Sequence, residues 1–231
     1  MAKALRLIQP LEWQRAIYID FESRMKDPES LLGHACEGTW SVYIIEPELW
    51  SAASHGHAKG RVIPETVQEA LRAIRTRAEA EQRIIAAWSS REHEGIANTL
   101  ELSESERQWW ADNLVDAKKY AKPMARQLNL VISQRKSSIG KGMNKHPLAS
   151  YMEAVGYKVP TMHGPNNAAQ RILYVRRQIL AKGSFDAITP TAKKKWANGL
   201  SHNYHDCIGL AHVMTALAGR TEHRSFSRRS H

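Results

Sequence analysis

The segment IYIDFES, residues 17–23, sets apolar and polar side chains in regular alternation. Residues two apart on a β-strand share a face, so Ile17, Ile19 and Phe21 point one way and Tyr18, Asp20 and Glu22 the other. A strand of this kind has two uses. Its polar face can meet water, as on an antiparallel edge strand. Alternatively, its two carboxylates can stand at the lip of a metal site, which requires further acids from elsewhere in the chain.

Two more strand-like stretches follow, LLGHAC (31–36) and WSVYII (40–45), joined by Glu37-Gly38-Thr39 as a hairpin turn. Together the three predict an antiparallel meander. Pro64 suits the first turn of a helix, and Val67, Leu71, Ile74 and Ala78 recur at helical spacing. RIIAAWS (83–89) is a continuous apolar run that fits a central strand covered on both faces. Beyond it the chain reads mostly as helix. One helix starts at the acidic turn after Ser103, runs through Trp109, Trp110, Leu114 and Val115, and is interrupted at Pro123. A short one in 147–157 ends at Gly156. A basic amphipathic one covers 168–182. Another runs from Thr189-Pro190 to Gly199, and Ser201 caps a last one over 201–218. LNLVIS (128–133) fits a helix end or a last strand, and 134–147 reads as a loop. The expectation is a single α/β domain over 1–218, with residues 219–231 as a flexible basic tail. Its sheet is mixed, a three-stranded antiparallel meander plus a central parallel strand, flanked by helices and followed by a helical C-terminal half.

Charge narrows the choice of partner. Lys and Arg number 33 against 23 acids, a formal net charge of +10. Such an excess points to nucleic acid, with solubility as the plainer use. It is uneven: RKSSIGKGMNK (135–145) carries Arg135, Lys136, Lys141 and Lys145 without an acid. Arg171, Arg176 and Arg177 lie on the amphipathic helix and offer a second basic surface. GKGMNKH lacks the spacing of a phosphate-binding loop. Cys36 and Cys207 form no C-x-x-C pair, which argues against a disulfide framework or a zinc knuckle. No apolar run is long enough to span a bilayer, and the opening residues do not read as a signal peptide. A cytoplasmic location is expected.

Two other places carry acids. In AWSSREHEGI (87–96), Glu92 and Glu94 follow a buried strand at what reads as a helix start. Acids there also suit the helix dipole, and Glu92 is preferred because it lies nearer the strand end. In SHNYHDCIGLAHVM (201–214), Asp206 sits amid apolar residues and needs a partner or a metal if buried. His202 precedes it by four residues, on the same helical face. Cleaving a phosphodiester with two Mg²⁺ or Mn²⁺ ions takes several converging carboxylates, since hard cations want oxygen ligands. Asp20, Glu22, Glu92 and Asp206 would supply such a set, and a nearby His or Tyr could orient or deprotonate the water.

The order of these motifs resembles the RNase H-like 3′–5′ exonucleases of the DEDD type, most closely the predicted bacterial RNase H-like nucleases. Asp20-Phe21-Glu22 matches their D-x-E on the first strand. SHNYHDCIGL looks like their last motif, with His202 where tyrosine usually stands and Asp206 as the acid. The four-residue spacing is that of the tyrosine type, and glutamate stands where most relatives have a second aspartate. The resemblance implies an RNase H-like fold and a two-metal-ion 3′–5′ exonuclease acting on DNA or RNA. His202 would then handle the water. From the charge pattern alone, Lys141 and Lys145 of the basic loop would meet phosphates, and Arg171 and Arg176 would line a nucleic-acid groove or form a solvated helix face. A non-catalytic nucleic-acid-binding module, or an endonuclease on the same fold, remains open.

Overall fold

Alternation in the first strand sets the layering of the molecule. The computed structural model describes residues 6–22, 29–99, 101–136, 143–144, 146–160 and 168–227. After a short helix α1 (Pro10–Arg15), strand β1 (Ile17–Glu22) pairs antiparallel with β2 (Leu31–Cys36). β2 pairs antiparallel with β3 (Thr39–Ile44). Glu37 and Gly38 make the turn between them with φ of 51° and 77°, the two positive angles that suit a tight hairpin and favour glycine. A 3₁₀ turn over Pro47–Ala52 leads to β4 (Gly60–Pro64), which runs parallel to β3. Helix α2 (Val67–Ala80) then crosses back to β5 (Ile85–Ala87), which is parallel to β1. Helices α3 (Ser90–Ala97) and α4 (Glu104–Asn113) precede β6 (Leu114–Asp116), parallel to β5. The chain continues through α5 (Ala117–Gln127), a short ladder of β7 (Arg135–Lys136) and β8 (Met143–Asn144), α6 (Leu148–Val155), α7 (Ala168–Lys182) and α8 (Pro190–Ser227).

The result is an α/β fold around a six-stranded mixed sheet in the order β4-β3-β2-β1-β5-β6, with a helical C-terminal half. Ile17, Ile19 and Phe21 enter one apolar layer with Leu71 and Ile74 of α2, Ile85 of β5 and Trp110 of α4. Burying each such side chain stabilises by about 1.5–3 kcal/mol. Tyr18 faces the other way and packs with Leu210, Val213, Met214 and Leu217 of α8. On that side of the meander, Leu31, Trp40, Val42 and Ile44 meet Ile172 and Val175 of α7 and Leu200 of α8. The acids of β1 therefore lie beneath α8. Among the described residues no helix is long and apolar enough to cross a membrane.

Several elements differ from the sequence reading. Pro64 closes β4 instead of opening α2, whose cap is Thr66, its Oγ1 accepting from the Glu69 amide at 3.2 Å. β4 is an edge strand, where a residue without an N–H is tolerated. Leu114–Asp116, read as helix, is a strand, because its backbone pairs with Ile85–Ala87 and Leu114 enters the α2-side core. Asp116 then caps α5, which runs through Pro123 with Ala121 and Ala125 holding its apolar side in the core. LNLVIS forms no strand, and within 134–147 the short β7–β8 ladder replaces a plain loop.

Helix α8 does not break at Gly199, nor does it end at residue 218. Gly199 avoids the left-handed conformation that stops helices and lies against Ile172. The hydroxyl of Ser201 bonds His57 Nε2 at 2.8 Å, so it is engaged across the interface with the loop before β4 rather than as a cap. The expected tail is helical as far as Ser227, and Arg224 bonds the Gln127 carbonyl of α5. Residues 228–231 lie outside the described residues.

Candidate metal centre

Three elements deliver acids to one place. β1 presents Asp20 and Glu22 on its α8 side. β5 ends just before Ser89, which caps α3 in a reciprocal box with Glu92. Helix α8 carries His202 and Asp206 one turn apart, on the stretch that packs on the sheet. Asp20, Glu22, Glu92, His202 and Asp206 all line a cleft of about 240 Å³, together with Arg91 and Trp88.

Within the cleft the tightest group is Glu22, His202 and Asp206, whose ligand atoms lie within 4.8 Å of one another. His202 Nε2 stands 3.3 Å from Asp206 Oδ2. Glu22 is only 8% exposed, and its Oε1 is buried with no hydrogen-bond partner. A buried carboxylate oxygen left in this way is costly unless a cation or proton meets it. The other two acids are already partly engaged. Glu92 Oε2 accepts from the Ser89 hydroxyl at 3.0 Å and the Ser89 amide at 3.3 Å. Asp20 Oδ2 accepts from Asn203 Nδ2 at 3.1 Å.

The electrostatics follow from this crowding. Burial, and then repulsion from neighbouring acids, holds Asp20 and Glu22 well above the usual carboxylate range. Burial also raises Asp206, with His202 opposing the shift. Glu92 is raised by burial as well, against hydrogen bonds from its own backbone and from Ser89. Arg91 offsets part of the charge on Asp20, Glu22 and Glu92. Several carboxylates facing one cavity could hold a cation, with Arg91 and His202 offsetting part of their charge. Oxygen donors with one imidazole suit Mg²⁺ or Mn²⁺.

β1 lies inside the sheet, between β2 and β5, so its acids are not the wet face of an edge strand. Glu94 is exposed and does not line the cleft, whereas Glu92 does. Asp20 and Glu92 share the cleft without joining the tight group of three. Arg176 of α7 is paired with Glu46 at 2.5 Å, away from the cleft lining. Arg171 is half-buried on the same helix. Lys141 and Lys145 lie outside the described residues.

Sequence reasoning missed Asn203 and Arg91. One signal for Asn203 was present: Gly33, a glycine inside strand β2, which often marks close approach of another group. A Cβ there would stand 1.7 Å from Asn203 Oδ1. No family model, curated protein or solved structure matches the chain.

Proposed function

We propose that the chain is a metal-dependent nuclease of RNase H-like fold that hydrolyses phosphodiester bonds of DNA or RNA with two Mg²⁺ or Mn²⁺ ions. Its finer activity, 3′–5′ exonuclease, rests on the D-x-E pair and its resemblance to the DEDD enzymes. The observation that carries the proposal is Glu22 Oε1, buried and unpartnered beside His202 and Asp206. When bound, the ions would lower the pKa of the attacking water and neutralise charge developing on the phosphate.

The chain's own groups take the remaining tasks. Glu22 and Asp206 would hold the ions, with Asp20 and Glu92 completing the set. His202, whose Nε2 stands 3.3 Å from Asp206 Oδ2, would orient or deprotonate the attacking water. Arg91 places a positive charge at the cleft that favours an approaching phosphate. The net charge of +10 favours the polyanion as a whole.

Incubating the protein with 3′-labelled and 5′-labelled single strands in Mn²⁺ or EDTA tests the proposal. Expected is metal-dependent release of nucleotides from the 3′ end, stopped by a blocked 3′ terminus. Opening of a circular strand would move the activity to an endonuclease. Binding without cleavage in Mn²⁺ would leave a non-catalytic module.

A further inference from the structure

Asn203 is fully buried in the middle of α8, where a polar amide needs all its partners. Its Oδ1 accepts from Trp40 Nε1 at 3.1 Å. An indole nitrogen can only donate, so this bond fixes which way the amide faces. The NH₂ group must then point at Asp20, where it meets the backbone carbonyl at 3.2 Å and Oδ2 at 3.1 Å. Gly33 sits opposite Asp20 in the β1–β2 register, and the space its missing side chain leaves is filled by the amide oxygen. Trp40, Gly33 and Asn203 come from two strands and a helix, yet converge on one carboxylate.

We infer that Asn203 is a positioning residue that locks the Asp20 carboxylate in orientation for cation binding, with Trp40 holding the amide and Gly33 admitting it. This rests on the metal-centre reading above. With Oδ2 engaged by the amide, the remaining acceptor capacity of Asp20 is directed to the cleft. A carboxylate without this bond could turn about its side-chain torsion and lose the shared geometry.

The test is calorimetric titration of the full chain with Mn²⁺ alone, so that it does not depend on nuclease activity. Outer partners of metal-holding side chains contribute about 10–100-fold in affinity. Asn203→Leu, with the same branching but without the amide, is expected to weaken Mn²⁺ binding within that range. Trp40→Phe removes the indole donor together with part of the buried ring and should weaken binding in the same direction by a smaller factor. Ile19→Val, on the opposite face of β1, is the control for loss of stability and should leave Mn²⁺ affinity unchanged. Binding by folded Asn203→Leu within about threefold of wild type, below the range for such partners, would overturn the inference. So would an equal loss in Ile19→Val. If Asn203→Leu does not fold, unchanged affinity in Trp40→Phe overturns it. Wild-type protein that binds no Mn²⁺ removes the metal-centre reading and this inference together, a result distinct from selective failure of the variants.

Discussion

The two faces of β1 are built on opposite terms. Toward α2, Ile17, Ile19 and Phe21 join an apolar layer with Leu71, Ile74 and Ile85. Toward α8, Tyr18 is packed against apolar side chains, but Asp20 and Glu22 face Asn203, His202 and Asp206. Six residues of one strand thus serve two purposes, because alternation sends neighbours to opposite layers. Helix α8 shows the same division along its length. Leu210, Val213, Met214 and Leu217 anchor it in the core, while the turn at 202–206 carries the polar groups. Packing on one side and at the helix's far end offsets the cost of gathering acids in the middle.

The largest expected effect separates the two faces. Asp206→Asn and Glu22→Gln should each slow phosphodiester cleavage by at least about 10²–10³-fold, the scale of losing one preorganised electrostatic contact. Both should keep the circular dichroism of the folded protein. Ile19→Ala should do the reverse. It should cost about 2–5 kcal/mol of stability in a denaturant titration and leave turnover per folded molecule near wild type. Equal loss of turnover in all three would abolish the distinction between the faces.

A smaller effect concerns stability without metal. Glu22 is raised above its unfolded value by burial and by Asp206, so the folded protein binds its proton more tightly than the unfolded chain does. That contribution is fully present below the ordinary carboxylate range and is lost as pH rises through the raised value. Glu22→Gln removes the charge. In EDTA it should therefore gain stability over wild type at neutral pH, by about 1–3 kcal/mol, with the difference shrinking toward acid pH. Thermal melts of the two proteins across pH measure it. A variant less stable than wild type at neutral pH would show that Glu22 has a partner other than a cation.

Smallest is the contribution of single basic residues to binding. Replacing Lys141 and Lys145 with Ala should make the slope of log affinity against log salt shallower by about 0.7 for each one that touches a phosphate of a single strand. Arg176→Ala should leave the slope unchanged, because its guanidinium is committed to Glu46. A shallower slope in Arg176→Ala would place that helix face on the nucleic acid after all.

Much of this division was legible from residue order. Alternation in IYIDFES assigned the two faces of β1 correctly, and the apolar periodicity of AAQRILYVRRQILAK gave the bounds of α7. Gly156 ends α6 as read, with a φ of 88°. Short strands were not legible. β4 ends in a proline and β6 has three residues between two helices, so each is defined by the neighbour it pairs with. Gly199 and Ser201 imitated a helix stop and a cap, while their contacts with Ile172 and His57 come from distant parts of the chain. Asn203 was hidden for a similar reason: on a helix it reads as a surface residue, and its anchor, Trp40, lies 163 residues away.

Manganese-soaked crystals, with anomalous scattering recorded above the metal edge, test the central claim most directly. The expected result is an anomalous peak in the cleft at roughly 2 Å, the usual reach of such cations, from Glu22 Oε1 and an Asp206 carboxylate oxygen. A cleft without a peak at millimolar Mn²⁺, or a peak coordinated by neither acid, would contradict the claim that these carboxylates are gathered to hold a cation.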